Sequence, residues 1–167
     1  LMKKKEEYSE EITRYAIIEM MMRNVNESFF PFPNMEKDEF EVRLYAVIQE
    51  FLQRVPFNVL VQLHSKWGAY EFITISESSY ASCRHFSEDV IKIFFYPPSQ
   101  KLPKSALLFV LAHEIAHSLD EPDGIDVYTI DISGNEIAED VADSRVIEWG
   151  FQAEYDEFLK FTDKIEE

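Results

Sequence analysis

The residues with the clearest chemical potential occupy positions 113 to 117, which read His-Glu-Ile-Ala-His. On a helix, His113 and His117 lie one turn apart on the same face, so both imidazoles can reach one tetrahedral metal ion. Glu114 lies beside them and can address a water molecule bound to that ion. The pattern predicts a Zn²⁺ site that lowers the pKa of this water, with Glu114 taking the proton as the water attacks a polarised carbonyl.

The surrounding sequence favours a metal site over two incidental histidines and a glutamate in a buried helix. From Lys104 to Leu119 the apolar side chains point in nearly every direction, which is typical of a helix surrounded by protein. Each polar group buried in such a helix costs about a few kcal/mol unless a partner satisfies it. A shared metal ion would satisfy both histidines together.

A catalytic zinc ion needs a third protein ligand, and the sequence after His117 has to supply it. Ser133 and Glu136 form a capping-box pattern, which predicts a helix that begins there and runs through Trp149. The predicted buried side chains of this helix are Ile137, Ala138, Val141, Ala142, Val146 and Trp149.

Two acidic residues of this helix border the predicted buried stripe. Glu139 and Asp143 lie one turn apart and can point into the site, so Glu139 is predicted as the third ligand. Asp143 is predicted to accept a hydrogen bond from a ligand histidine and to fix its tautomer. Glu136 would then cap the helix, while Asp140 faces outward. A solvated surface charge remains the alternative for Glu139.

This arrangement resembles the zincin peptidases whose third ligand is glutamate, the gluzincin type. The Glu-x-x-Ala-Asp/Asn signature of the HtpX-type and ImmA/IrrE-type families matches Glu139, Ala142 and Asp143, and the resemblance spans residues 106 to 151. A thermolysin-like pattern, Asn-Glu-x-x-x-Asp, instead matches residues one turn earlier, namely Asn135, Glu136 and Asp140. Both registers remain open.

A third ligand candidate is Asp123, which has the position of the last ligand in metzincin-like enzymes, although Asp120 replaces the glycine of that motif. The zincin resemblance implies a peptidase, and the small size and acidic charge of the chain predict narrow specificity for a protein or peptide substrate. It also implies that an edge strand before the active-site helix binds substrate backbone, a role that would fall to Val90–Tyr96. Candidate donors to the oxyanion are Tyr128, Tyr96, His85 and His64.

The order of elements predicts an α+β fold, a minimal zincin-like domain over residues 1–167. Amphipathic helices are expected over Glu6–Arg23 and Glu36–Arg54, before the apolar helix Lys104–Leu119. The first helix shows apolar spacing at Ile12, Tyr15, Ala16 and Met20, and the second points Phe40, Leu44, Val47, Ile48 and Phe51 inward. A small mixed sheet of three or more strands is expected from the runs Phe57–Leu63, Tyr70–Ser76 and Val90–Tyr96.

Charge and cysteine usage limit the partners. The formal net charge of −16 would repel phosphate backbones and anionic lipids, which argues against nucleic-acid and membrane binding. The alternative class is an acidic interaction protein that imitates DNA charge, with a structural or vestigial zinc site. The single cysteine, Cys83, predicts a small buried residue in a reducing, cytoplasmic protein.

Overall fold

The helix that carries residues 113 to 117 lies at the centre of the fold. The computed structural model describes residues 2–28, 37–74, 80–87, 89–119 and 136–166. Its helices are α1 (Met2–Arg23), α2 (Lys37–Arg54), α3 (Phe57–Lys66), α4 (Lys104–Leu119), α5 (Glu136–Glu148) and α6 (Gln152–Glu166). Its strands are β1 (Glu27–Ser28), β2 (Tyr70–Thr74), β3 (Ala81–Ser87) and β4 (Val90–Phe95). Two 3₁₀ helices, Trp67–Ala69 and Pro97–Lys101, connect these elements.

The four strands form one mixed sheet in the order β1-β2-β4-β3. The β1–β2 and β2–β4 pairs are parallel, whereas β3 and β4 form an antiparallel pair. This confirms the predicted α+β class and the small mixed sheet. Side chains at alternate positions of the strands, including Phe72, Cys83, Ile93 and Phe95, are fully buried in the main core.

Helix α4 contacts α2, α5, α6, β3 and β4, which explains its all-round apolar sequence. Its observed bounds coincide with the predicted ones, and every side chain from Ala106 to Ser118 is buried. The inward face predicted for α2 is also confirmed, because Phe40, Leu44, Val47, Ile48 and Phe51 are all nearly or fully inaccessible. Cys83 is fully buried, as predicted.

The predicted strand Phe57–Leu63 is wrong, because this run forms helix α3. Its buried residues are Val59, Leu60 and Leu63, a helical spacing, whereas Val61 is 43% exposed. Two valines, a β-branched residue type, suggested a strand, but Pro56 immediately before the run is favourable at a helix start.

The strand Val90–Tyr96 was also expected at a sheet edge, and this is wrong. It appears as β4, which lies between β2 and β3, so β3 is the edge strand on that side of the described sheet. The sequence of β3, Ala-Ser-Cys-Arg-His-Phe-Ser, contains few of the residues typical of strands, and it was not predicted.

The buried face of α1 differs from the apolar face that was predicted. Ile17, Ile18 and Met21 are buried, whereas Ile12, Tyr15 and Met20 are 54%, 73% and 45% exposed. On α5, Ala142 and Val146 are buried as predicted, as is Trp149 just beyond it, but Val141 is 41% exposed. Ile137 and Ala138 have side chains outside the described set.

A tight reversal connects α5 to α6, a helix that was not predicted. Gly150 has a φ of 101°, a conformation that glycine adopts without strain. The backbone N–H of Gly150 donates to Ile147 O at 3.0 Å, and that of Phe151 donates to Val146 O at 3.1 Å. This Schellman-type ending turns the chain so that α6 packs against α4.

None of the helices in the described parts of the chain combines the length and the hydropathy that a bilayer-spanning helix needs.

Candidate metal centre

The two histidines of α4 and one glutamate of α5 meet at a single point. Nε2 of His113 lies 2.9 Å from Oε2 of Glu139, and Nε2 of His117 lies 2.9 Å from Oε1 of the same carboxylate. The two Nε2 atoms are 3.0 Å apart. Among the described residues these three form a group whose ligand atoms all lie within 4.8 Å of one another.

The helical geometry accounts for this convergence. His113 and His117 are separated by one turn, and their rings meet edge to face with centroids 4.5 Å apart. His117 is fully buried, and His113 is 8% exposed. Both histidines can contact Glu139 because α5 packs against α4, and the Glu139 side chain remains 37% exposed. The cluster therefore lies in the core but has one side toward solvent.

Asp143 lies one turn after Glu139 and contacts the other nitrogen of His113. Its Oδ1 is 2.8 Å from His113 Nδ1, so a proton on Nδ1 is donated to the carboxylate. This leaves Nε2, the atom beside Glu139, as the nitrogen that can bind a metal ion. The position of Asp143 is the one predicted for a residue that orients a ligand histidine.

The charges around these imidazoles favour a bound cation. Burial lowers the pKa of His113, but hydrogen bonds with Asp143 and Glu139 outweigh burial and raise the pKa to about 10. For Glu139, burial raises the pKa, but hydrogen bonds with His113 and His117 lower it to about 2. A site that retains a proton so firmly on an imidazole stabilises positive charge, which a divalent ion would supply.

The donor set also fits zinc. Two imidazole nitrogens and one carboxylate oxygen are the protein ligands of many catalytic zinc sites, which keep a further position for water or substrate. Glu114 is 4% exposed and follows His113 directly on α4, so its carboxylate belongs to the same buried region. Residues His113, His117 and Glu139 could therefore hold the ion, with Glu114 beside it.

The remaining predicted candidates lie elsewhere or outside the described residues. Asp140 is exposed. Among the oxyanion candidates, His64 is exposed on α3, and the buried Tyr96 has its Oη 2.5 Å from Ser82 Oγ. His85 is buried on β3. Asp123, Tyr128 and the side chain of Glu136 fall outside the described set, so their roles stay predictions.

An aromatic wall behind His113 was not predicted from the sequence. The ring of Phe109 lies 5.7 Å from that of His113, 5.2 Å from Tyr155 and 5.0 Å from Phe158. Burial, followed by the charges of Asp143 and nearby acidic residues, raises the pKa of Tyr155. The spacing of Tyr155, Phe158 and Phe161 on α6 is the helical signal that could have identified this wall.

The end of α4 is fixed by a buried hydrogen-bond chain. Ser118 Oγ donates to Ile115 O at 2.5 Å, so Tyr70 Oη, which lies 2.6 Å from Ser118 Oγ, donates to that hydroxyl. Tyr70 begins β2, and Ser118 follows His117 directly. These hydrogen bonds therefore connect the sheet to the turn of α4 that carries His117.

Scans against models of known protein families found no match, and searches of curated proteins and of solved structures found no similar protein. What this centre can do is therefore inferred from its own side chains and their geometry.

Proposed function

We propose that this chain is a zinc-dependent metallopeptidase in which His113, His117 and Glu139 hold the ion and Glu114 is the general base. The observation that carries the proposal is the convergence of both histidine Nε2 atoms on the Glu139 carboxylate, each at 2.9 Å. The residue order His-Glu-x-x-His on one helix supports the peptidase reaction, because it places a carboxylate next to the metal ligands.

A zinc ion bound by these residues would polarise the substrate carbonyl and lower the pKa of a water molecule towards neutrality. Glu114 would be the group that accepts a proton from water and donates it to the leaving amine. Asp143 holds the ring of His113 through Nδ1, at 2.8 Å, which keeps Nε2 directed at Glu139. The buried surroundings strengthen these electrostatic interactions, because water screens them poorly there.

The substrate backbone is proposed to bind along β3. By resemblance to zincins, an edge strand beside the active-site helix fills this role, and β3 has that place in the described sheet. A series of ring contacts connects the strand to the metal centre. Tyr80, just before β3, lies 5.6 Å from Phe158, which contacts Phe109 at 5.0 Å, and Phe109 in turn contacts His113.

We expect this peptidase to have narrow specificity for a protein or peptide substrate. The fully buried Cys83 fits a reducing compartment, and we place the activity in the cytoplasm.

The second candidate is an acidic interaction protein that occupies a basic cleft and has a structural or vestigial zinc site. The observation that favours it is the net charge of −16. The presence of Glu114 beside the ligand histidines favours the peptidase, because a purely structural zinc site needs no general base.

Cleavage of a peptide library tests the proposal. The zinc-loaded chain is incubated with peptides from a digested proteome, and new termini are identified by mass spectrometry. The proposal predicts cleavage by the wild type and a loss of about 100-fold or more in Glu114→Gln. Glu148→Gln, at an exposed glutamate of α5, is the matched control and keeps wild-type cleavage. Absence of cleavage by the wild type, or equal cleavage by Glu114→Gln, contradicts the peptidase.

A further inference from the structure

The two proposed ligand histidines of α4 are held in different ways. Nδ1 of His113 lies 2.8 Å from Oδ1 of Asp143, which orients the imidazole through the nitrogen that faces away from Glu139. Nδ1 of His117 is buried and has no hydrogen-bond partner among the described residues. The ring of His117 therefore lacks the contact that usually orients a metal-binding histidine, and its position has to be set by packing and by its backbone.

Packing restricts the ring of His117 but leaves its backbone to the helix. The side chain is fully buried, and its ring meets that of His113 edge to face, with centroids 4.5 Å apart. Close packing of this kind limits rotation of the imidazole. The backbone of the turn that carries His117 then determines whether Nε2 stays 2.9 Å from Oε1 of Glu139.

This turn is the last one of α4, which ends at Leu119. Carbonyl groups in the last turn of a helix lack partners within the helix, and helix ends fray readily. His113 lies one turn further from this end. The ligand whose Nδ1 lacks a described partner is therefore also the ligand on the less stable part of the helix.

Two buried hydroxyl groups hold the last turn of α4 in place. Ser118 Oγ donates to Ile115 O at 2.5 Å, and Tyr70 Oη donates to Ser118 Oγ at 2.6 Å. Ser118 and Ile115 are fully buried, and Tyr70 is 1% exposed. Hydrogen bonds in such surroundings are strong, because the local dielectric constant is low. The residue directly after His117 is therefore bonded both to its own helix and to the sheet.

The ring of Tyr70 is itself held at a defined position. Tyr70 begins β2, where it lies opposite Ile91 of β4, and its ring centroid is 5.5 Å from that of Trp67. The indole N–H of Trp67 donates to Met21 O of α1 at 2.9 Å. The Tyr70 hydroxyl therefore has a fixed place relative to the sheet and to α1, and Ser118 is bonded to it there.

We propose that Tyr70 and Ser118 are positioning residues for His117, one of the proposed zinc ligands. Their hydroxyl groups fix the backbone of this histidine, whereas the Asp143 carboxylate fixes the ring of His113. The proposal rests on the proposed zinc centre and extends that centre from α4 and α5 to the sheet, because a residue of β2 then controls the geometry of a ligand.

The zinc affinity of the full chain at neutral pH tests this proposal. Tyr70→Phe removes one hydroxyl group and keeps the ring beside Trp67, so the packing of the ring is retained. We expect its zinc Kd, measured by competition with a chromophoric chelator, to rise about fivefold, which is less than for a direct partner of a metal-binding histidine. Ser118→Ala should raise the Kd similarly. Because the two hydroxyl groups act together, the double variant should lose less affinity than the product of the single effects.

Cobalt substitution separates positioning from a general loss of stability. The visible absorption of bound Co²⁺ depends on the arrangement of its ligands. We expect Tyr70→Phe and Ser118→Ala to shift the absorption bands of the wild type. Tyr45→Phe is the matched control, because Tyr45 also hydrogen-bonds through its hydroxyl, to Glu27, and it should keep the wild-type Kd and spectrum. Urea unfolding shows which variants are folded, and Ser118→Ala provides the test if Tyr70→Phe does not fold.

Failure of this inference and failure of the proposed function give different results. A wild-type Kd and cobalt spectrum in folded Tyr70→Phe and Ser118→Ala overturn the inference and leave the metallopeptidase intact. An equal change in Tyr45→Phe also overturns it, because the effect then follows stability and not position. Zinc binding that depends on both hydroxyl groups, without any peptide cleavage, supports the inference and rejects the peptidase. A wild-type chain that binds no zinc rejects both.

Discussion

The Nδ1 atom of His113 lies 2.8 Å from Oδ1 of Asp143, although 30 positions separate the two residues in the chain. The contact joins α4 to α5 and fixes the imidazole so that Nε2 faces Glu139 at 2.9 Å. Burial lowers the pKa of His113, but the hydrogen bond with Asp143 and other contacts with nearby carboxylates outweigh burial and raise the pKa to about 10. Asp143 therefore orients one proposed ligand and, together with Glu139 and Glu114, stabilises positive charge on its ring.

Removal of the Asp143 carboxylate should weaken zinc binding. In Asp143→Ala the ring of His113 loses its acceptor, and we expect a zinc Kd about 10- to 100-fold higher, as is usual for partners of metal-binding histidines. Competition with a chromophoric chelator at neutral pH measures this change. Asp140→Ala, at an exposed position of the same helix, is the control. An unchanged Kd for Asp143→Ala would show that this contact does not support the metal ligand.

Substitution of each acidic candidate identifies the third ligand. Glu139→Ala should lose more zinc affinity than Asp143→Ala, because it removes a donor atom rather than a supporting hydrogen bond. Glu136→Ala and Asp123→Ala are compared in the same assay. If either of these loses the metal while Glu139→Ala retains it, the assignment moves to that residue.

Local patterns were sufficient to predict helix α4, which carries the histidines of the proposed metal site, and the two carboxylates of α5 that lie beside them. Helix α4 could be bounded because its apolar residues continue around the whole helix, and the positions of Glu139 and Asp143 followed from one helical turn on α5. Residues 57 to 63 were misassigned because short apolar runs with β-branched residues are ambiguous between helix and strand. Burial at Val59, Leu60 and Leu63 shows that the helical period decides this case.

Features that depend on contacts distant in sequence were not predictable. The order of strands in the sheet, which puts β3 at an edge, arises from pairing across the fold. The spacing of Tyr155 and Phe158 indicates an apolar helix face, but their contacts with Phe109 also require the reversal at Gly150, which turns α6 back against α4.

The buried hydroxyl of Tyr70 predicts a specific loss of stability at alkaline pH. Burial raises the pKa of Tyr70 far above its usual 10, more than its hydrogen bond with Ser118 lowers it. Above pH 10 the unfolded chain loses this proton while the folded chain retains it. The contribution of the protonated Tyr70 hydroxyl to the free energy of unfolding is therefore fully present below pH 10. It decreases as pH rises, by up to about 1.4 kcal/mol per pH unit.

Urea unfolding between about pH 9.5 and 11.5 measures this dependence. Tyr70→Phe should show a shallower loss of unfolding free energy with pH than the wild type. Tyr15→Phe, at a tyrosine that is 73% exposed, is the matched control and should follow the wild type. Equal slopes for Tyr70→Phe and wild type would contradict the buried, protonated hydroxyl.

The contact between α2 and α6 should depend on Arg54. Its guanidinium pairs with Glu154, which is 8% exposed, and lies 4.5 Å from the Phe151 ring centroid. Arg54→Ala leaves a largely buried carboxylate without this cation, so we expect the free energy of unfolding to fall by about 1–3 kcal/mol. This loss is smaller than for a fully buried ion pair, because Arg54 is partly exposed.

The exposed pair formed by Arg23 and Glu19 on α1 provides the comparison for this prediction. Arg23→Ala should change the free energy of unfolding by less than about 0.5 kcal/mol, because exposed ion pairs of this spacing contribute little. Chemical unfolding of both variants at neutral pH gives the two values. Similar values for the two variants would contradict a structural role for the Arg54 contact with α6.

The most direct measurement is the zinc content of the chain, purified without chelator, exposed to excess zinc and then dialysed. The proposed centre predicts about one zinc ion per chain in the wild type and in Glu114→Gln, because Glu114 is not a ligand. It predicts loss of that ion in His113→Ala and in His117→Ala. A wild-type chain that retains no zinc, or histidine variants that retain as much as the wild type, would contradict a metal centre at His113, His117 and Glu139.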